Sequence, residues 1–241
     1  MEVRRALVSF RTAGPQRSRR HRRHGGSALI GQLLALVLVA APVAAEARVL
    51  RIVALGDSLT AGLGLPEAAS FPSVLERRLK KDGFDVEVSN AGVSGDTTTD
   101  GLARLDWSTP EGTDFVIVEL GANDMLRGIK PAIARDALAK ILSNLRDRKI
   151  PAALAGMRSL ANWGDQYRAE FEAIYPDLAT QFSTPLYPFF LDGAAGRPDL
   201  TQGDGMHPNP AGVEIVVDRF APFLEPILKE RFGPPSAASA K

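Results

Sequence analysis

The feature that most restricts what this chain can fold into is an alternation. Short aliphatic runs take turns with longer stretches whose apolar residues recur at helical spacing. Val49–Leu55, Asp85–Val88, Phe115–Leu120, Ala152–Ala155 and Thr184–Tyr187 read as strands. Phe71–Lys81, Leu102–Trp107, Ile133–Arg148 and Gln166–Gln181 read as the helices between them, and Pro210–Lys229 as a closing helix. In the first of these helices Phe71, Val74, Leu75 and Leu79 share one face. Val49–Leu55 shows no clean alternation of apolar and polar residues, as in a strand covered on both faces. Strand following helix through the whole body implies parallel strands joined by right-handed crossovers. The expected class is therefore α/β: a three-layer α/β/α sandwich around a five-stranded parallel sheet. Pro131 suits a first helical turn. Pro176 should kink or break its helix, and Pro222 or Pro226 should interrupt the last one.

Charge separates a leader from this body. The net charge of the 241 residues is +1. Residues 1–45 carry eight of the 29 basic side chains and one of the 28 acidic ones, so the remainder holds 21 against 27 and is mildly acidic. Such a body is a poor partner for nucleic acid. The basic run Arg17–Arg23 precedes an apolar stretch, Ala28–Ala41, and then small residues in Val43-Ala44-Ala45 and Ala45-Glu46-Ala47. A basic segment, a short apolar segment and a small-residue site make a secretory signal peptide. The apolar stretch is about 14 residues, short of the ~20 that a spanning helix needs; an uncleaved anchor is the alternative. The expected organisation is a leader over 1–45, one domain over 46–232 and a disordered, low-complexity tail over 233–241. The chain has no cysteine, which excludes disulfides and thiolate catalysis.

The chemistry-bearing residues fall where such a sheet gathers them. In open α/β sheets the ligand crevice lies outside the carboxyl ends of the strands. Ser58 follows the first strand, Gly92 the second and Asn123 the third. Asp204-Gly205-Met206-His207-Pro208-Asn209 lies just before the last helix. Of the three histidines, His21 and His24 lie in the leader, so His207 is the sole imidazole of the expected mature chain. A serine hydroxyl needs an adjacent base to become a nucleophile. Imidazole can take and return that proton, and a carboxylate at Asp204 can fix its tautomer. The N–H groups of Ser58 and Gly92 and the amide of Asn123 are the expected donors to an oxyanion.

Each piece also has an ordinary reading. Gly-Asp-Ser-Leu occurs by chance, Asn123-Asp124 can close a strand as an Asx-turn, Gly92 can be a turn, and a lone histidine is often structural. Ser94 is a rival nucleophile, but it does not complete Gly-x-Ser-x-Gly. Gly62-Leu63-Gly64 lacks the spacing of a phosphate loop.

Taken together, the blocks Gly56-Asp57-Ser58-Leu59, Asn90-Ala91-Gly92-Val93-Ser94-Gly95-Asp96-Thr97, Leu120-Gly121-Ala122-Asn123-Asp124 and Asp204–Asn209 resemble those of the SGNH (GDSL-type) hydrolases. The resemblance spans about residues 50–228. It extends through Leu126-Arg127-Gly128, Ala161-Asn162-Trp163-Gly164, Ala173-Ile174-Tyr175-Pro176 and Pro188-Phe189-Phe190 to the periplasmic thioesterase, lysophospholipase and arylesterase branch. It implies a flavodoxin-like fold with Ser58 as nucleophile, His207 as base and Asp204 as its orienter. It also implies an oxyanion hole of Ser58, Gly92 and Asn123, and a loop at Asp124–Lys130 that closes over acyl chains. Asp124, Met125, Leu126 and Trp163 are the expected substrate contacts, with Leu63, Leu65, Ile129 and Leu160 as further candidates for an acyl groove. Asp57 and Asp124 are expected to support by hydrogen bonds, not to transfer protons.

The expectation is thus a periplasmic or secreted serine hydrolase of acyl esters and thioesters, including lysophospholipids, acting as a monomer. It should need no cofactor or metal and make no stable membrane insertion once processed. A sugar or cell-wall deacetylase with the same triad, and a non-catalytic binding module, are the alternatives. Expression in a bacterial host should yield a mature chain beginning just after Ala45 or Ala47; intact-mass spectrometry of the secreted fraction checks this.

Overall fold

A computed structural model describes residues 48–235. The leader and the last six residues lie outside the described part, and the expectations about them are not addressed by it. The described chain runs β1 (Leu50–Gly56), α1 (Ser58–Ala61), α2 (Phe71–Lys81), β2 (Val86–Gly92), α3 (Thr98–Ala103), α4 (Leu105–Ser108), β3 (Phe115–Glu119) and α5 (Ala122–Leu126). It continues with α6 (Pro131–Asp147), β4 (Ala152–Ala155), α7 (Gly164–Phe182), β5 (Leu186–Tyr187) and α8 (Pro210–Phe232). Single 3₁₀ turns occur at Glu67–Ala69 and Ala161–Trp163.

The strands form one sheet in the order β2-β1-β3-β4-β5, and every pairing is parallel. Helices α2 and α8 pack together on one side, and α3, α6 and α7 form a second contiguous set. The three layers of the expected sandwich are present. Strand β3 is central, and Phe115, Val116, Ile117 and Val118 are fully buried, which explains their unbroken aliphatic run. The register puts Gly56 level with Gly92 on one side and with Glu119 on the other, so three strands end at one height. None of the described helices is long and apolar enough to cross a membrane.

The prolines of the last helix did not interrupt it as expected. Helix α7 runs through Pro176, and α8 runs through both Pro222 and Pro226. Each interior proline removes one backbone hydrogen bond, at a cost of about 3 kcal/mol. Against this, α8 buries Val213, Val216, Val217, Phe220, Ala221, Leu224 and Leu228, at about 1.5–3 kcal/mol for each large side chain. Tertiary packing outweighs local propensity here. The expected helix over Leu102–Trp107 is instead two short ones, α3 and α4, meeting at Arg104. Thr97 caps α3 in a reciprocal capping box with Asp100.

Phe220 lies at the centre of an aromatic cluster, edge-to-face with Phe71, Tyr187 and Phe190. Phe220→Ala should lower the unfolding free energy by about 3–5 kcal/mol, measured by urea denaturation.

Candidate active site

β1 ends at Gly56, and the chain turns at once into α1. Asp57 is the N-cap of that helix: its Oδ1 accepts the Leu59 N–H at 2.9 Å. The cap fixes Ser58 as the first helical residue, at the carboxyl end of the sheet. Arg104 locks this corner from outside. Its guanidinium donates to the carbonyls of Gly56 and Ala91, both at 2.8 Å, and pairs with Asp96 at 2.6 Å. It thereby ties the ends of β1 and β2 together.

His207 comes from the loop between β5 and α8. An antiparallel bridge between Thr201 and Pro208 closes that loop, with Gln202 N–H donating to the His207 carbonyl at 2.8 Å. The Gln202 side chain donates to the Leu63 carbonyl at 2.7 Å and so moors the loop to the segment after α1. Within it, Asp204 Oδ1 accepts the N–H groups of Met206 and His207 at 2.9 and 3.0 Å. Asp204 Oδ2 lies 2.6 Å from His207 Nδ1, and His207 Nε2 lies 2.8 Å from Ser58 Oγ. The hydroxyl, the imidazole and the carboxylate expected from the sequence form one continuous line.

An open cavity of about 410 Å³ adjoins this line. Ser58, Ser94, Gly95, Asn123, Arg158 and His207 are its polar edge. Leu63, Met125, Leu126, Met157, Leu160, Phe189, Leu191 and Met206 supply apolar wall. Ser94 makes no hydrogen bond to an imidazole or carboxylate, unlike Ser58. Among the described residues no group of three or more histidine and acidic side chains is placed to hold a metal ion.

Three expected contacts need correction. Gly92 does not line the cavity. Its N–H donates to Asn90 Oδ1 at 3.0 Å, and a Cβ there would stand 2.7 Å from Ala61 Cα and 2.8 Å from the Asp57 carbonyl. The glycine is required for β2 to pack against α1. Gly95, three residues on, does line the cavity, and no described acceptor takes its N–H. Asp124 is fully buried and holds Thr98 through its N–H at 2.8 Å and its hydroxyl at 2.7 Å; it does not face the cavity. Trp163 does not face it either. Its ring lies against Gly128 and beside Tyr167, whose hydroxyl donates to the Ile129 carbonyl at 2.9 Å. These two aromatics secure the Asp124–Lys130 segment from behind, while Met125 and Leu126 present it to the cavity. Of the further groove candidates, Leu63 and Leu160 line the cavity and Leu65 and Ile129 do not.

Asn123 does line the cavity, but its amide is engaged. It donates to Asp57 Oδ2 at 3.2 Å and to the Asp96 carbonyl at 3.0 Å. It can serve a new acceptor only by exchanging one of these bonds.

The two acids nearest the line are displaced in opposite directions. Backbone N–H groups, that of Met206 foremost, and the imidazole lower Asp204 from 3.8 to about 2. Burial raises Asp57 from 3.8 to about 6, against the bonds from Leu59 and Asn123. An acid with a lowered native pKa adds stability that is present above the unfolded value and lost as pH falls through the native one. An acid with a raised native pKa does the reverse. Asp204→Asn should therefore flatten the loss of stability on acidification from 3.8 toward about 2. Asp57→Asn should flatten the loss on raising pH from 3.8 to about 6. Urea midpoints across pH check both.

Comparison with known proteins shows the family of the chain. The sequence pattern of the GDSL-like lipase/acylhydrolase family matches residues 54–215. Esterase TesA of Pseudomonas aeruginosa is 37% identical over 201 residues, covering 83% of this chain and 98% of that protein. Thioesterase 1/protease 1/lysophospholipase L1 of Escherichia coli strain K12 is 38% identical over 175 residues, 72% of this chain and 83% of that protein. The crystal structure of AlinE4, described as an SGNH-hydrolase family esterase, is 45% identical, with a TM-score of 0.64 over 76% of this chain and 99% of that one. On the matched pattern and these near full-length relatives, the chain belongs to the GDSL-like lipase/acylhydrolase family.

Proposed function

We propose that this protein is a serine esterase that cleaves acyl esters and thioesters through a covalent acyl-enzyme. The observation that carries the reading is the pair of contacts on His207, at 2.8 Å to Ser58 Oγ and 2.6 Å to Asp204 Oδ2. The names of the relatives, esterase and thioesterase, support the same chemistry.

Ser58 Oγ attacks the acyl carbonyl as His207 Nε2 takes its proton. Asp204, ionised at every working pH, holds Nδ1–H and stabilises the imidazolium. The tetrahedral oxygen accepts from the N–H groups of Ser58 and Gly95, with the Asn123 amide joining once it releases Asp57 or the Asp96 carbonyl. The imidazolium then protonates the departing alkoxide or thiolate. Water repeats the sequence and frees the acid. The acyl chain occupies the wall of leucine, methionine and phenylalanine side chains, which offers a sugar few hydrogen-bond partners and an alkyl chain good contact. The leader over 1–45 accords with export to the periplasm or beyond.

A fluorophosphonate should label Ser58, and Ser58→Ala should lower turnover of p-nitrophenyl octanoate by about a thousandfold or more with the fold intact; His207→Ala should do the same, since the two act as a unit. Full residual activity in Ser58→Ala would refute the assignment, and an unlabelled wild type would favour a binding module. Octanoyl esters should be cleaved at least as well as acetyl esters. A strong preference for acetyl would redirect the reading to a deacetylase.

A further inference from the structure

Beneath the nucleophile lies an acid that the steps above do not use. Glu119 ends β3, is fully buried, and pairs in register with Gly56. Its Oε2 accepts the Thr60 hydroxyl at 2.7 Å and lies 3.5 Å from the Asp57 N–H. Its Oε1 is buried with no hydrogen-bond partner, the one such side-chain atom found among the described residues. The strand it ends is otherwise aliphatic, and an apolar side chain would avoid the cost of burying this carboxyl. A glutamate here therefore calls for a role in what it binds.

We propose that Glu119 is a positioning residue for Ser58: its carboxyl ties Asp57 and Thr60, on either side of the nucleophile, to the end of the central strand. The inference rests on Ser58 being the nucleophile. Gly56 makes the contact available, because a Cβ there would collide with the Thr60 hydroxyl and come within 2.6 Å of Glu119 Oε2. Of the ionisable groups nearby, Asp57 after β1 acts on this acid, Tyr175 on α7 feels it, and Asp124 on α5 and His207 on the closing loop act on Asp57. None of them is a cation fixed beside Glu119. Burial first, and Asp57 second, push the carboxyl well above the usual carboxylate range, which favours its uncharged form. An uncharged group can hold the turn without opposing the negative charge that develops on the substrate oxygen.

The test compares Glu119→Gln, Glu119→Ala, Thr60→Val and Thr60→Ser. Its readouts are kcat and KM on a p-nitrophenyl ester, the rate of fluorophosphonate labelling of Ser58, and the thermal midpoint of each variant. Glu119→Gln keeps a neutral acceptor and should hold kcat within about threefold of wild type. Glu119→Ala should lower kcat and the labelling rate together by about tenfold or more while KM stays within about twofold, the signature of a displaced nucleophile. Thr60→Val should move in the same direction, and Thr60→Ser should recover. Wild-type kcat and labelling in Glu119→Ala or Thr60→Val would overturn the proposal, as would equal damage in Glu119→Gln and Glu119→Ala. If Glu119→Ala does not fold, the Gln variant and the Thr60 pair decide by the same criteria. Failure of wild type itself to label at Ser58 would instead remove the esterase reading beneath it.

Discussion

The parallel register of β2, β1 and β3 is the constraint on which everything else depends. A parallel ladder fixes which residues stand side by side, and a slip of one residue would turn each side chain to the opposite face. Here the register brings Gly56, Gly92 and Glu119 to one level. Two of the three lack side chains, so the turn into α1 can sit directly on the sheet. The third reaches into that turn with a carboxyl oxygen. Arg104, bonded to the ends of β1 and β2, holds the same level from the rim. The placement of Ser58 follows from the sheet and its nearest neighbours.

Three acids close to one hydroxyl would repel one another if all were charged. Solvation separates them. Asp204 stands on a partly exposed loop, served by two backbone donors and the imidazole, and is kept ionised. Asp57 is buried yet capped by Leu59 N–H and Asn123, which leaves it between the extremes. Glu119 is buried, and burial and Asp57 raise it well above the usual carboxylate range, toward its neutral form. Identical functional groups thus acquire different roles from their surroundings.

Much of this was legible in the sequence, and the losses have physical reasons. The five strands and the long helices announced themselves through aliphatic runs and helical periodicity. Residues 71–81 and 152–155 kept the bounds read from the sequence. Helices α1 and α5 were missed because four or five residues do not complete a repeat of apolar positions. The prolines of α8 misled because a local penalty says nothing about the packing set against it. Ser58, Asp204 and His207, singled out by strand-end logic, the scarcity of histidine and the nearness of Asp204 to it, are in contact in the structure. Gly92 was read as a donor because no local sign tells a glycine that faces a cavity from one that admits a neighbouring helix. Trp163 read as an acyl contact because apolarity alone does not say which side of a loop an aromatic supports. Gln202 and Arg104 act across 139 and 48 residues and leave no local pattern. Glu119 did leave one, a lone acid in an aliphatic strand.

Ser58 and His207, in contact in the fold, lie 149 residues apart in the chain. Asp204, bonded to the imidazole, travels with it, three residues away. Polypeptides are made, and threaded through export channels, from the amino end. A nascent chain therefore carries Ser58 before His207 has been made. On the proposed triad reading that chain is inert toward acyl esters, and competence arrives only when the loop before the final helix has joined the fold.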